Sequence, residues 1–282
     1  MKKLFLFACL ISFLHSQAQT VRLNFMVGLS NYYGEIQKKK VTFDQSNPVL
    51  AFGATLDLTK RLLLRTDVNF AKLQGDDKRG IYPYRNLNFK TSLSEGTLLL
   101  EYNLFDLYER KFTPYVFSGV GLFHFNSYTT DSLNRKVYLQ PLSTEGQGFP
   151  EYPDRKVYKN TQLNIPIGGG LKYAISDDVQ FGFEYGLRIL FTDYLDDISK
   201  LYVDENILRN RAGQLAVDLS YRADELKNGS KSYPSAGSFR GSSRVNDLYY
   251  YGLARLSIKM NWFENGLSSG RRNRFGCPAR VL

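Results

Sequence analysis

Residues that could carry out hydrolysis are scarce in this sequence, and their spacing argues against an active site. After the first eighteen residues, His124 is the one histidine. A serine nucleophile needs a base within hydrogen-bond reach. Ser118 shares an alternating face with His124 but lies about 20 Å away along an extended strand. We therefore predict no enzyme, with a lipid-modifying enzyme as the least favoured alternative, and we interpret His124 as a polar residue at the rim or in the interior of the fold.

A run of three glycines and a group of acidic residues could also indicate ligand sites. Gly168, Gly169 and Gly170 lie in an extended stretch with no helix after it, so they do not form a phosphate-binding loop; we predict close packing or a bend. The acidic residues are Asp193, Asp196, Asp197, Asp204 and Glu205. Their spacing does not fit an EF-hand. Calcium binding is one interpretation and a solvated loop or partner surface is the favoured one, so we predict no metal and no cofactor.

The most regular pattern is a strict alternation of apolar residues with glycine or polar residues. It is clearest between Thr161 and Asp193, where two such runs flank the polar turn 176–178. In the second run every other residue from Val179 to Phe191 is apolar or aromatic, with glycine, glutamate and arginine among those between. A period of two is strand geometry, because successive side chains point to opposite faces. Both runs exceed the roughly five or six residues of a common globular strand.

Eight such strands can be traced, and the connections between them alternate in length. The strands are predicted near residues 21–33, 49–58, 62–70, 93–104, 115–126, 161–174, 179–191 and 248–263. Short turns alternating with long loops are typical of outer-membrane barrels, with the turns periplasmic and the loops extracellular. We predict an all-β fold, an eight-stranded antiparallel up-and-down transmembrane β-barrel of OmpA or OmpX size. A soluble β-sandwich or lipocalin-like barrel is the alternative, since alternation alone does not reveal which face is inside.

Charged residues on the less apolar face would line the lumen of such a barrel. An eight-stranded barrel is just wide enough for side chains to fill it, and buried charges must be paired. We predict a salt-bridge network that plugs the lumen, with an ion pathway as the alternative. Its members are Arg65, Asp67, Glu101, Glu184 and Lys259 at one depth, and Glu95, Arg188 and Arg255 nearer the middle.

The fifth strand has ambiguous faces. One side, from Tyr115 to Phe125, carries four aromatic residues and two glycines, whereas the other carries Val120, Leu122 and His124. We expect the aromatic side to face outward, because aromatic girdles lie on the outside of membrane barrels.

The start of the chain has the features of an export signal. Met1–Ala18 has a basic beginning, a short apolar core and a small-residue cleavage site, so we predict a cleaved signal peptide. We assign residues 19–263 to the barrel and 264–282 to a periplasmic tail. The net charge of +10 is compatible with nucleic-acid binding. Because the chain is exported, however, we expect outer-membrane lipids and a partner protein, and no nucleic acid.

The tail is basic, and glycine and serine near its start favour flexibility. A short segment that orders on binding is a common recognition device, and arginine is suited to carboxylate contacts. The candidates for docking onto an acidic periplasmic partner are Arg271, Arg272, Arg274 and Phe275. A disordered end is the alternative. The same composition predicts mobility for Asn228–Ser243 in the fourth long connection.

Several motifs, taken in order, resemble a known family. They are Asn31–Ile36, Arg85–Phe105, Phe112–Asn126, Leu139–Gly148, Ile165–Tyr173 and Phe191–Ser199. As an ordered set they are similar to the PorG-like outer-membrane proteins, the DUF6089 family, of the type IX secretion system. The resemblance implies an outer-membrane barrel without catalytic activity that contacts the periplasmic ring of that machine, built from a lipoprotein and its partner. The alternative function is a small pore or a solute- or lipid-binding barrel.

Overall fold

Ten strands and two α-helices form the part of the chain that the computed structural model describes, residues 20–37, 44–80, 82–242 and 246–260. The strands are β1 (Val21–Tyr33), β2 (Asn47–Asp57), β3 (Leu62–Asp76), β4 (Asn88–Asn103), β5 (Phe112–Phe125), β6 (Tyr128–Thr130), β7 (Lys136–Tyr138), β8 (Thr161–Ala174), β9 (Val179–Leu190) and β10 (Leu248–Lys259). The helices are α1 (Glu205–Ala212) and α2 (Gln214–Ser220).

The eight long strands close into a barrel. Each pairs antiparallel with the next long strand along the chain, and β1 pairs with β10 from Arg22↔Lys259 to Tyr33↔Leu248, which closes the sheet. The short β6–β7 hairpin is attached to β4 through Lys90↔Tyr128. The structure therefore confirms the predicted eight-stranded antiparallel barrel, with connections that are short at one end, the short-turn end, and long at the other, the long-loop end.

Strands β3 and β4 extend further towards the long-loop end than the sequence pattern predicted. The pairing continues through Lys72↔Ser92 to Asp76↔Asn88. Apolar alternation stops before these residues, but the backbone ladder does not need apolar side chains to continue. The extra residues lift the strand ends beyond the apolar surface of the barrel.

The sense of the alternation is that of a membrane barrel. On the outer face Val27, Val68 and Phe183 are 56%, 48% and 60% exposed, whereas Arg65 and Glu101 on the inner face are 1% and 0% exposed. Soluble sandwiches and lipocalin-like barrels place apolar side chains inside, so this distribution excludes them. An outward apolar band around a polar interior is the pattern of transmembrane β-barrels.

Strand β5 is oriented opposite to the expectation from its sequence. Tyr115, Phe117 and the other aromatic residues on that face are buried in the lumen, while Val120 and Leu122 are exposed outside. The reason is volume, because the ring of Phe117 stands over glycines of β8 and β9. A Cβ built on Gly168 or Gly186, which pair in register, would come within 2.6 or 2.8 Å of Phe117.

The long connections fold over one end of the barrel, and we call the described parts of residues 77–87, 126–160 and 191–247 the cap. The fourth connection contains α1, capped by Asp204, which accepts hydrogen bonds from the amides of Asn206 and Ile207. A separate apolar cluster holds the helices, with Val203, Leu208, Ala216 and Val217 at its centre. None of the helices in the described ranges is long and apolar enough to cross a membrane.

Candidate functional site

The lumen is occupied by a charge cluster centred on Arg65 of β3. Its guanidinium donates to Glu101 Oε2 on β4 (3.0 Å) and to both oxygens of Glu184 on β9 (2.7 and 3.1 Å). Its Nε lies 2.8 Å from Asp67 Oδ2. Inward alternation on three strands brings these side chains to one level. A bidentate contact from a planar guanidinium fixes geometry as well as charge.

Two further cations complete this lower cluster. Arg255 of β10 donates to Glu101 Oε2 (2.8 Å) and lies 3.6 Å from Glu184. Lys172 of β8 pairs with Glu101 and donates to Asn103 Oδ1 (3.0 Å). Three cations thus face three carboxylates, all buried. This balance is what burial of charge requires.

Aromatic side chains pack against the cations. Tyr115 donates its hydroxyl to Glu184 (2.7 Å), and its ring lies 4.4 Å from Lys172 Nζ and 5.0 Å from Arg255 Cζ. Phe117 lies 4.9 Å from Arg65 Cζ. These rings exclude water from the ion pairs, and each offers a favourable face to a cation. The lower cluster therefore fills the bore across its width.

A second, upper cluster lies nearer the cap. Arg188 Nε is 3.5 Å from Glu95 Oε2, and its guanidinium stands 4.0 Å over the ring of Tyr251. Glu95 also accepts hydrogen bonds from the side chains of Asn69, Asn164 and Tyr249, at 3.1, 2.7 and 2.9 Å. Buried polar groups need hydrogen-bond partners. Glu95 is buried and obtains them from protein side chains.

The structure brings together most of the lumen residues named from the sequence, gives two of them, Arg255 and Lys259, other positions, and adds Lys172. Arg255 joins the lower cluster, because the stagger of barrel strands shifts residue levels between neighbours. Lys259 is half-buried at the short-turn end and, among the described residues, makes none of these ion pairs. Lys172 takes that position instead. Sequence reasoning missed it, although Lys172 shares the inward face with Gly168 and Gly170.

Two buried arginines, which the sequence did not single out, join the long connections of the cap to one another. Arg240 donates to Glu145 Oε1 (2.6 Å) and to the carbonyl of Asp197 (2.8 Å), which joins the third and fourth connections. Arg85 of the second connection pairs with Asp77 (2.7 Å) and donates to the carbonyl of Arg240. Loop residues carry no periodic pattern, so nothing in the sequence distinguished these from solvated charges.

The cap is joined to the barrel at the top of β1. The Tyr32 hydroxyl lies 2.6 Å from Asp196 Oδ2 and 2.7 Å from Asp247 Oδ1. It has one proton, so it can donate to only one of them at a time, and the other contact requires a protonated carboxyl. Burial raises the pKa of Asp247 to about 7 and that of Asp196 well above its ordinary value. Burial beside Asp247 also raises the pKa of Asp193 to about 9.

The acidic group named from the sequence is divided by the structure. Asp193, Asp196 and Asp197 are buried in the cap, whereas Asp204 caps α1 and Glu205 pairs with Arg209. Within the described residues no set of three or more metal-ligating side chains is arranged to hold an ion.

Two other sequence candidates have structural positions. His124 is exposed on the outer face of β5 and its Nδ1 lies 2.9 Å from Thr161 Oγ1. It is therefore neither in the lumen nor beside Ser118. Gly168, Gly169 and Gly170 lie within β8. The missing side chains of Gly168 and Gly170 make room for the rings of Phe117 and Tyr115 in the lumen, whereas Gly169 lies on the other face of the strand.

The short-turn end presents exposed cations. Lys60 and Arg61 lie in the first short turn, and Arg110 and Lys111 in the second, all exposed. The tail residues Arg271, Arg272, Arg274 and Phe275 lie outside the described residues, as do the predicted signal peptide and residues 261–263.

Comparison with known proteins gives a family match and structural likenesses. A family model described as "Domain of unknown function (DUF6089)" matches residues 1–222. No curated protein sequence matches the chain significantly. Similar solved structures include Neisserial surface protein A (7% identity, TM-score 0.43), covering 86% of this chain and 100% of that chain. A major outer membrane protein from Thermus thermophilus (12%, 0.41) covers the same shares. OprG from Pseudomonas aeruginosa (11%, 0.36) covers 86% and 92%.

Proposed function

We propose that this chain, which belongs to the DUF6089 family, is a closed outer-membrane β-barrel that anchors a periplasmic secretion assembly and catalyses no reaction. The observation that carries the proposal is the filled lumen. Arg65, Glu101 and Glu184 are each at most 5% exposed and bonded to one another across the bore. Such a barrel offers no wide conduit for solutes, so its surfaces are the parts available for function.

The topology supports an orientation in the membrane. Membrane barrels of this size have short periplasmic turns and longer extracellular loops, which puts the short-turn end in the periplasm and the cap outside the cell. The exposed Lys60, Arg61, Arg110 and Lys111 then face the periplasm, at the end where β10 ends. Glu109 and Asp177 are exposed at the same end, so the four cations outnumber the exposed carboxylates of the short turns, and this excess favours an acidic partner.

The partner class comes from the family resemblance stated above. In a type IX-like secretion system the expected partner is the periplasmic ring, built from a lipoprotein and its associated protein. The barrel would hold that ring against the outer membrane through the short-turn face and the tail. In this role the barrel and its tail attach the ring to the outer membrane and carry out no chemical step.

Crosslinking in intact outer membranes followed by affinity purification tests the anchoring role. We expect the tagged protein to recover periplasmic ring components, while a tagged outer-membrane barrel of equal size and unrelated sequence recovers none. Recovery of no periplasmic protein above that control would contradict anchoring and favour a solute- or lipid-binding barrel.

Deletion of Leu267–Leu282 tests the tail. We expect unchanged heat-modifiable folding and unchanged outer-membrane localisation, because β10 already closes the barrel, together with loss of co-purification with the ring. A matched variant with Arg271, Arg272 and Arg274 changed to Gln keeps the length and should lose co-purification too. Retained co-purification in both variants would move the docking surface to the turn Phe105–Phe112.

A further inference from the structure

A transverse groove crosses the outer face of the barrel near the cap. It has a volume of about 740 Å³ and runs over β1 to β5. Its floor is the backbone at Gly28, Val49, Ala71 and Leu93, which are inward-facing positions of their strands. The groove therefore lies where membrane lipid meets the protein, and it is separate from the lumen clusters.

The two walls of the groove differ in chemistry. The wall towards the short-turn end begins with Val27, Leu50 and Phe70, which are neighbours in register and are 56%, 43% and 52% exposed. The wall towards the cap carries Lys72 and Ser92, also paired in register and both exposed. An apolar wall below a polar, cationic one reproduces the boundary between acyl chains and headgroups.

The apolar wall is interrupted at β4 and β5. The row that begins with Val27 continues through Ser94 and His124, and a second depression of about 270 Å³ opens there beside Gly96. A Cβ built on Gly96 meets no atom within 4 Å, so a side chain would have room. Ionisable residues within an apolar membrane band mark functional positions, and here His124 stands in such a row beside Ser94, with its Nδ1 2.9 Å from Thr161 Oγ1.

The net charge of the cap-side wall is positive. On the cap side of the apolar row, the outward positions of β3 and β4 carry two lysines, Lys72 and Lys90, and one carboxylate, Asp76. Basic surface pockets beside a membrane recognise anionic lipid headgroups. A partner with a phosphate next to acyl chains matches both walls at once.

We propose that this groove binds a phosphorylated, acylated glycolipid of the outer leaflet. An acyl chain lies along Val27, Leu50 and Phe70 and enters the depression at Gly96. The phosphate is bound by Lys72, with the hydroxyls of Ser92 and Ser94 and the ring of His124 beside it. This inference rests on the proposed outer-membrane location and orientation, and it is independent of the secretion role.

The test uses the full-length protein in nanodiscs of phosphatidylethanolamine with a minor share of diphosphoryl lipid A. Native mass spectrometry measures the lipid retained on the protein. We expect lipid A to be enriched over phosphatidylethanolamine and Lys72→Gln to lower that enrichment about fivefold, the factor that one lysine contributes at an anionic surface. Lys227→Gln, at an exposed position of the cap outside the groove, is the matched control and should leave lipid retention unchanged. Dephosphorylated lipid A should show no dependence on Lys72.

A second variant separates the acyl contact from the phosphate contact. Gly96→Leu places a side chain in the depression from a position where a Cβ meets no atom within 4 Å, so the barrel should keep its heat-modifiable migration while retention of phosphorylated and dephosphorylated lipid A both fall. Equal retention in wild type, Lys72→Gln and Gly96→Leu overturns the proposal. So does a photo-crosslinker at Ser94 that captures a protein in whole membranes and no lipid. Either result leaves the crosslinking test of the anchoring role unaffected.

Discussion

At the scale of single residues, Glu184 is the carboxylate on which the lumen depends most. It accepts two hydrogen bonds from Arg65 and one from Tyr115, and Arg255 is close by. Glu184→Ala would leave two buried guanidiniums short of one carboxylate. Removing one partner of a buried pair destabilises by about 3–5 kcal/mol. We expect a loss of that size in urea unfolding of the barrel in lipid or detergent.

The control for this prediction is Glu109→Ala. Glu109 is exposed in the second short turn, and surface substitutions of this kind change stability by about 0.5 kcal/mol at most. Similar unfolding curves for the two variants would show that the lumen charges are solvated and that the bore is open to water.

The alternation of residue types along the strands predicted which residues face the lumen better than it predicted their depth in it. Parity along a strand identified the inward faces, and with them Arg65, Glu101 and Glu184. Depth was less certain, because barrel stagger offsets the strands, and this is why Arg255 was placed too high and Lys259 was preferred to Lys172. The faces of β5 were predicted wrongly because the signal was aromaticity, and aromatic rings serve both as outer girdles and as fillers of a bore.

At the scale of elements, the cap is sensitive to pH. Asp193 and Asp247, with pKa values of about 9 and 7, lie with Glu35, whose pKa burial raises to about 7. The other charged or titratable groups at this cluster are Asp196, Glu145, Arg85, Arg240 and Tyr32. These carboxyls hold protons more tightly in the folded cap than in an open one. Cap stability is therefore fully present below about pH 4 and is lost as pH rises towards 9.

Limited proteolysis of the protein in liposomes measures this effect. We expect cleavage within residues 194–242 to be at least about tenfold faster at pH 9 than at pH 6, since one carboxyl with a folded pKa of about 7 already changes the opening equilibrium about tenfold between these pH values. Asp193→Asn mimics the protonated carboxyl and should reduce the pH dependence. Asp224→Asn, at an exposed position of the cap, should leave it unchanged. A cleavage rate that rises towards acid pH would contradict the assignment.

The elements of the barrel were predictable, and those of the cap were not. Long strands are recognisable by a period of two that lasts ten residues or more, and lipid outside the barrel keeps that pattern strict. Helices α1 and α2 have 8 and 7 residues. Helices this short depend on tertiary contacts for stability, and here those contacts come from residues such as Tyr152, about fifty positions away. The mobility expected for Asn228–Ser243 did not anticipate the burial of Arg240.

At the scale of the whole molecule, the two lumen clusters predict an electrically silent barrel. Arg65 with its partners and Glu95 with Arg188 fill successive levels of the bore. In a planar lipid bilayer we expect no steady conductance from the purified protein, whereas an open porin added to the same bilayer conducts. Open-channel currents of porin size from this protein would show that the clusters leave a continuous water path.

The contact of Tyr32 with Asp196 and Asp247 has a consequence for the order in which the molecule is made. It joins positions separated by 164 and 215 residues along the chain. Tyr32 belongs to β1, the first of the barrel strands in chain order, and its partner across the seam, β10, is the last of them. The pairing of β10 with β1 therefore closes the barrel and also brings Asp247 to Tyr32, where the cap joins the barrel. Such distant contacts slow folding. We expect the chain to pass through a long-lived intermediate with seven strands paired, in which the edge of β1 is free to pair with an assembly factor.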